Sequence, residues 1–292
     1  MSLAADLSSK WLHVSEPSPN VLHIQFARPP VNAFSTEFWQ AYAALLDRIV
    51  AEGRDVRAVV LSSAIEKLFT AGLDLADASK IATGGFTDGD KSDGARAALT
   101  FHHDITAFQR AIAAPERCPF PVIAAVHGLV LGLGVDIIGA CDVRYAAENA
   151  QFSIKEIDIG LAADVGSLAY LPKITGNHSL LLEHAFSAAA FYASTALQMG
   201  LISRVVEGGR KEVVDAALQW AAVVAGKSPV AVSGTKRILL HSRDHTCVAD
   251  NLAYTAAWNA AALQTKDIPE TLSSTREKRA PKFAALKGKS KL

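Results

Sequence analysis

Three carboxylates, Asp136, Glu156 and Asp164, lie in one unusually apolar stretch. It runs from Pro121 to Gly166 as PVIAAVHGLVLGLGVDIIGACDVRYAAENAQFSIKEIDIGLAADVG. Burying an unpaired carboxylate is costly, so an acid among Ile, Leu, Val and Ala needs partners or a use. Hydrogen-bonded burial accounts for any one of them. Three together beside a glycine-spaced turn point to proton transfer. That turn, Gly128, Gly132 and Gly134, follows the apolar run Val122–Val126 and opens a helix-like segment from Val135 to Cys141. A second turn of the same kind, Gly72-Leu73, lies in Phe69–Leu75. Backbone N–H groups at such turns have no partner within the helix they open. If the two turns converge they make a two-donor oxyanion hole. The chemistry that needs both features is a thioester carbonyl turning into an enolate while carboxyl groups move protons.

Other chemistries fit less well. The glycine spacing resembles a dinucleotide-binding turn, but it falls mid-chain, and Ile137 occupies the last glycine position of G-x-G-x-x-G. None of the five tyrosines has a lysine four residues on. There is no G-x-S-x-G elbow. His102-His103-Asp104 is one cluster without a partner and reads as a surface helix rather than a metal site. His127 reads as a packed histidine. Cys118, Cys141 and Cys247 form no CxxC, and their odd number argues against a disulfide framework, so all three are expected to be small buried side chains. No metal and no cofactor is expected. The 292 residues are half hydrophobic with a formal net charge of zero. That leaves no global electrostatic case for nucleic acid and no candidate membrane span. The chain ends Ser290-Lys291-Leu292, the tripeptide read by the peroxisomal import receptor, which predicts a peroxisomal location.

The elements that must hold these residues follow from periodicity. Trp11–Val14 and Val21–Phe26 read as strands, and Glu37–Ala51 as a helix with Phe38, Ala41, Leu45 and Ile49 on one face. Ala58–Ser62 and Val122–Val126 read as buried strands. Residues 82 to 95 read as a surface loop and Ala95–Ala114 as one long helix. Val143–Ala146 and Phe152–Ile154 are the last strands expected. After them come helices at Val165–Leu171, Asn177–Phe186, Tyr192–Met199, Lys211–Ala225, Val230–His241 and Cys247–Gln264. Strands that repeatedly run into glycine turns and helix starts predict an α/β core. The expected division is a core domain, residues 1–210, and a C-terminal helical region with the targeting tail, residues 211–292.

These motifs together resemble the crotonase, or enoyl-CoA hydratase/isomerase, superfamily. The matching pieces are FTAGLDL (69–75), PVIAAVHG (121–128), GLGVD (132–136), ACDVRYA (140–146), FSIKEIDIGLAADVG (152–166) and GLISRVV (200–206). Within it the chain is most similar to the Δ(3,5)-Δ(2,4)-dienoyl-CoA isomerases. The family's hydratases have glutamates where Asp136 and Glu156 stand and a glycine where Asp164 stands. The resemblance implies a spiral of ββα units with a C-terminal helical trimerisation region, and a homo-trimer or homo-hexamer. It implies an acyl-CoA thioester substrate and oxyanion donors at the N–H groups of Leu73 and Leu133, where Leu133 replaces the usual glycine. It also implies isomerisation of 3,5-dienoyl-CoA to 2,4-dienoyl-CoA in the β-oxidation of unsaturated fatty acids. Glu156 and Asp164 are then the pair that moves protons at C2 and C6. Asp164 is taken as base at C2 and Glu156 as acid at C6, the reverse being the alternative, and Asp136 tunes them. The alternatives are a 2-enoyl-CoA hydratase, a Δ3-Δ2-enoyl-CoA isomerase, or a non-catalytic acyl-CoA-binding member. Lys236, Arg237, Lys278 and Arg279 are the cations considered for the CoA phosphates.

Overall fold

The computed structural model describes residues 6–74, 76–77 and 93–286. Most of the expected loop, 82 to 95, and the tail Ser290-Lys291-Leu292 lie outside the described residues. Two sheets share the strands. The first has the order β1 (Leu12–Ser18), β2 (Val21–Phe26), β3 (Ala58–Ser63), β5 (Val122–Val126), β7 (Val143–Ala147), β10 (Arg204–Val206). The second has the order β4 (Leu68–Thr70), β6 (Leu129–Leu131), β8 (Gln151–Ser153), β9 (Phe191–Tyr192). Only the two edge pairs, β1 with β2 and β8 with β9, are antiparallel.

From β3 onward the chain visits the sheets alternately: β3 then β4, β5 then β6, β7 then β8. Each visit to the second sheet is followed by helix, which gives a spiral of ββα turns, as the resemblance implies. The short strands β4 and β6 were expected as turns. At three residues each they have too little alternation to be seen without their neighbours.

The first sheet is buried on both sides, so its strands are apolar throughout. Val59, Leu61, Val122, Ala124 and Val126 face one core, which contains Phe26, Phe34, Phe38, Tyr42 and Phe69. Ala58, Val60, Ile123 and Ala125 face a second core. Helix α1 (Thr36–Ala51) closes the first. Ser35 caps it by accepting from the Phe38 N–H, and Phe38, Tyr42, Leu45, Leu46 and Ile49 form its buried face. Helix α2 (Gly94–Ile112) is capped by Asp93 and stops earlier than expected. The chain breaks at Ala113, and a separate turn of helix, α3 (Ala114–Arg117), starts with Pro115, which cannot donate a helical hydrogen bond. Helix α4 (Leu133–Gly139) follows β6, and α5 (Ser167–Ile174) follows a 3₁₀ turn at Glu156–Ile159. Helices α6 (His178–Ser187) and α7 (Ala193–Met199) follow. Helix α8 (Arg210–Ala225) covers the second core with Val213, Ala217 and Ala221. Then α9 (Pro229–Asp244) and α10 (Val248–Ala262) pack on each other, and α11 (Asp267–Arg276) ends the helices. Cys118 and Cys141 are buried as expected, but Cys247 is exposed at the start of α10. No helix among the described residues is long and apolar enough to cross a membrane.

Candidate active site

Strands β4 and β6 are parallel neighbours, with Thr70 opposite Val130. Each runs directly into a glycine turn, so the two turns emerge side by side at one edge of the second sheet. Gly72 has φ of +92°, and a Cβ there would lie 2.9 Å from the Leu131 carbonyl oxygen and 3.6 Å from the Leu133 nitrogen. Only glycine allows that approach without strain. Among the described residues no backbone carbonyl accepts from the N–H of Leu73 or of Leu133. Phe34 instead brackets the first donor: its N–H reaches the Gly72 carbonyl and its own carbonyl accepts from Asp74. The Leu133 side chain, 4% exposed, packs into the first core, which leaves its N–H free to face the other way.

Asp136 lies in the first turn of α4 and is 1% exposed. Its Oδ1 accepts from the Ser167 N–H and, at 2.8 Å, from the Ser167 hydroxyl. Burial still pushes its carboxyl up to about 6 against those two donors, and the charge of Asp164 adds to the rise. Glu156 opens the 3₁₀ turn. A Cβ at Gly132, whose φ is +50°, would lie 3.2 Å from Glu156 Oε1, so this glycine makes room for the carboxyl beside the Leu133 turn. Glu156 Oε2 is buried and has no hydrogen-bond partner among the described residues. Burial, then the charges of Asp136 and Asp164, push Glu156 up to about 7. Asp164 is half-buried, and burial raises its carboxyl too. It is the one acid of the three that lines a cleft of about 610 Å³ between α2 and residues 163–170. The fold thus gathers all three acids and both candidate donors into one region.

Several supporting residues were invisible in the sequence. Ser167 holds Asp136. Gln109 of α2 donates to the Asp164 carbonyl at 2.6 Å. Buried Asn32 ties the carbonyls of Phe26 and Phe69 to the Ser63 hydroxyl. The Thr70 hydroxyl donates to the Asn32 carbonyl and accepts from the Gly72 N–H, which steadies the first donor turn. Lys236 is not available to a substrate phosphate. Its ammonium is buried and donates to the carbonyls of Pro115 and Phe120 and to Asp142. Arg237 lies over the Trp258 ring, and Arg279 is paired with Glu270 and Glu277. Among the described residues no cluster of three metal-ligating side chains is present.

The family profile described as enoyl-CoA hydratase/isomerase matches residues 16–286. The chain belongs to the enoyl-CoA hydratase/isomerase family. It is 47% identical to the mitochondrial Delta(3,5)-Delta(2,4)-dienoyl-CoA isomerase of Homo sapiens, over 94% of this chain and 81% of that protein. It is 40% identical to the peroxisomal Delta(3,5)-Delta(2,4)-dienoyl-CoA isomerase of Arabidopsis thaliana, over 91% of this chain and 94% of that protein. Among solved structures it is similar to an enoyl-CoA hydratase from Bacillus anthracis, with a TM-score of 0.81 and 25% identity, covering 94% of this chain and 99% of that one. The family's fold is therefore the frame in which two glycine turns and three acids meet.

Proposed function

We propose that this chain isomerises 3,5-dienoyl-CoA thioesters to 2,4-dienoyl-CoA in the oxidation of unsaturated fatty acids. The observation that carries this reading is the third carboxyl: Asp164 lines the cleft while Asp136 and Glu156 sit behind it near the donor turns. The names of the relatives at 40–47% identity support the same reaction.

The thioester oxygen takes the N–H groups of Leu73 and Leu133, which stabilise the charge that develops when C2 loses its proton. Glu156 abuts the Leu133 turn, so it is the carboxylate beside C2, and a base poised near neutrality suits that step. The C2–H bond breaks and its proton passes to Glu156. The electron pair spreads from the thioester oxygen along the conjugated chain to C6. Asp164, farther along in the cleft, delivers a proton to C6. Double bonds at 3 and 5 become double bonds at 2 and 4, and the net transfer is one proton from Asp164 to Glu156. This order is the alternative one to that taken from the sequence, and the proximity of Glu156 to the Leu133 turn supports it. The acyl chain that fills the cleft removes water from half-buried Asp164 and favours its protonated form. The chain's own residues and the CoA of the substrate suffice for every step, with no separate cofactor.

The assay is the ultraviolet spectrum of a 3,5-dienoyl-CoA mixed with the protein. Isomerisation extends conjugation to the thioester, so the long-wavelength band grows. A flat trace with rapid hydration of a 2-enoyl-CoA would replace this reading with the hydratase one, in which Asp136 and Glu156 activate water.

Assembly and location belong to the same proposal. Leu239, Val248, Leu252, Leu263 and Leu272 leave α9 to α11 with exposed apolar side chains, which supports a homo-trimer or hexamer. Ser290-Lys291-Leu292 supports peroxisomal import by its receptor, and the plant relative is named peroxisomal while the human one is named mitochondrial. A fluorescent fusion with and without the last three residues tests it: punctate signal lost on truncation is the expected result.

A further inference from the structure

Ser167 has no step in the proton transfer above, yet it spends both of its donors on one atom. Its N–H and its hydroxyl reach Asp136 Oδ1, and both residues are essentially sealed from solvent, at 0% and 1% exposure. Apart from Asp136's own backbone N–H, no other described residue donates a hydrogen bond to its side chain. Beside it, Glu156 Oε2 is buried with no partner among the described residues. Two donors on one oxygen favour the carboxylate, whereas a buried oxygen without a donor favours the acid.

We propose that Ser167 is a positioning residue that holds the buried negative charge on Asp136 and so raises the proton affinity of the neighbouring Glu156. A base that must take a proton from C2 gains from that neighbour. The consequence for turnover rests on the isomerase reading; the difference in proton affinity between the two carboxyls does not.

The serine is itself fixed from behind. A Cβ at Gly166 would lie 3.0 Å from the Tyr170 ring and 3.5 Å from Asp136 Cβ, so the Gly166–Ser167 peptide is held between them. The Tyr170 hydroxyl donates to Glu116 at 3.0 Å, and Glu116 pairs with Arg243 of α9. The charged groups around Asp136 are few. Glu156 and Asp164 face it as acids. The Tyr170 ring packs from α5 against Gly166 and Gly139, and the one charged residue of α5, Lys173, is exposed. Strand β6 carries no charge. Arg144 holds the Ile138 and Cys141 carbonyls at the opposite end of α4.

The test is a pH titration of the protonated-carboxyl infrared band of the full, substrate-free chain, with Asp136→Asn and Glu156→Gln assigning the two buried steps. In Ser167→Ala the lower step rises by about half to one pH unit, the scale of one lost hydrogen bond to a charged group, and the upper step moves less. Ser167→Thr, which keeps the hydroxyl, restores both steps. Isomerase turnover in Ser167→Ala falls by up to about tenfold with KM nearly unchanged. Should the alanine variant not fold, Ser167→Cys, a weak donor of similar size, takes its place with the same expected shift. Superimposable titrations in wild type and the folded variant would overturn the proposal, as would a threonine variant that shifts like alanine. Because the titration needs no substrate, its failure is distinct from failure of the dienoyl-CoA assay.

Discussion

Asp136 and Asp142 lie six positions apart, one in the first turn of α4 and the other just past its end, and they solve burial in opposite ways. Asp142 Oδ2 accepts from the Lys236 ammonium at 2.7 Å and from the Val122 N–H at 2.7 Å. Lys236 completes its own set with the carbonyls of Pro115 and Phe120. Every proton of that ammonium is used, and the pair ties α9 to α3, β5 and the end of α4. Asp136 has no cation. Its neighbours in charge are two more acids, and its hydrogen bonds come from one serine and its own backbone N–H. Burial raises both carboxyls, but around Asp142 the charge of Lys236 opposes the rise, whereas around Asp136 the charge of Asp164 adds to it. A buried charge that is fully paired holds parts together. A group of buried acids short of partners holds a proton that can be moved.

The contrast can be broken most directly at Asp164. Asp164→Asn keeps the shape and removes the proposed proton donor at C6, so turnover of 3,5-dienoyl-CoA falls by about 10²- to 10⁴-fold, while the urea midpoint stays near that of wild type. Steady-state kinetics with turnover close to wild type would remove Asp164 from the chemistry.

The opposite result is expected on the structural side. Lys236→Met leaves Asp142 buried without its cation and costs about 3–5 kcal/mol of stability, read from urea unfolding. The double variant with Asp142→Asn recovers most of the loss. A loss confined to Asp164→Asn activity and another confined to Lys236→Met stability would sharpen the division of labour.

The smallest expected effect has the sign that separates the two kinds of acid. Glu156 has its folded-state value raised from 4.5 to about 7, so its carboxyl binds a proton more tightly in the folded chain. Ionising it therefore costs folding free energy as pH climbs from the ordinary glutamate range through about 7. Glu156→Gln escapes that cost. At pH about 8 the variant should be more stable than wild type by on the order of 3 kcal/mol, a gain that vanishes below pH about 4. Thermal melts across that range measure it, and a destabilised variant at high pH would contradict the burial argument.

Much of the site was legible because its parts are local. Gly72-Leu73 and Gly132-Leu133 mark candidate donor turns by glycine alone, and acids in an apolar run stand out by composition. The strands that place those turns, β4 and β6, were not legible. Three residues show no usable period, and their identity as strands comes from the parallel pairing of Thr70 with Val130. The cations considered for CoA show the same limit. Lys236 reads as a solvated surface lysine by position, and only the packing of α9 against α3 and β5 shows it buried and committed.

The sequence by itself determined the alternation of strand and helix, the two glycine turns, the inventory of three acids and the family, since each depends on residue type and spacing along the chain. Tertiary structure alone decided which acid adjoins the Leu133 turn, which serine holds Asp136 and which lysine is structural. Those outcomes depend on contacts between residues 24 to 121 positions apart, such as Gly132 with Glu156, Ser167 with Asp136 (31) and Lys236 with Pro115 (121). A hydrogen bond or an excluded Cβ is a statement about distance in space, and nothing in local propensity encodes it.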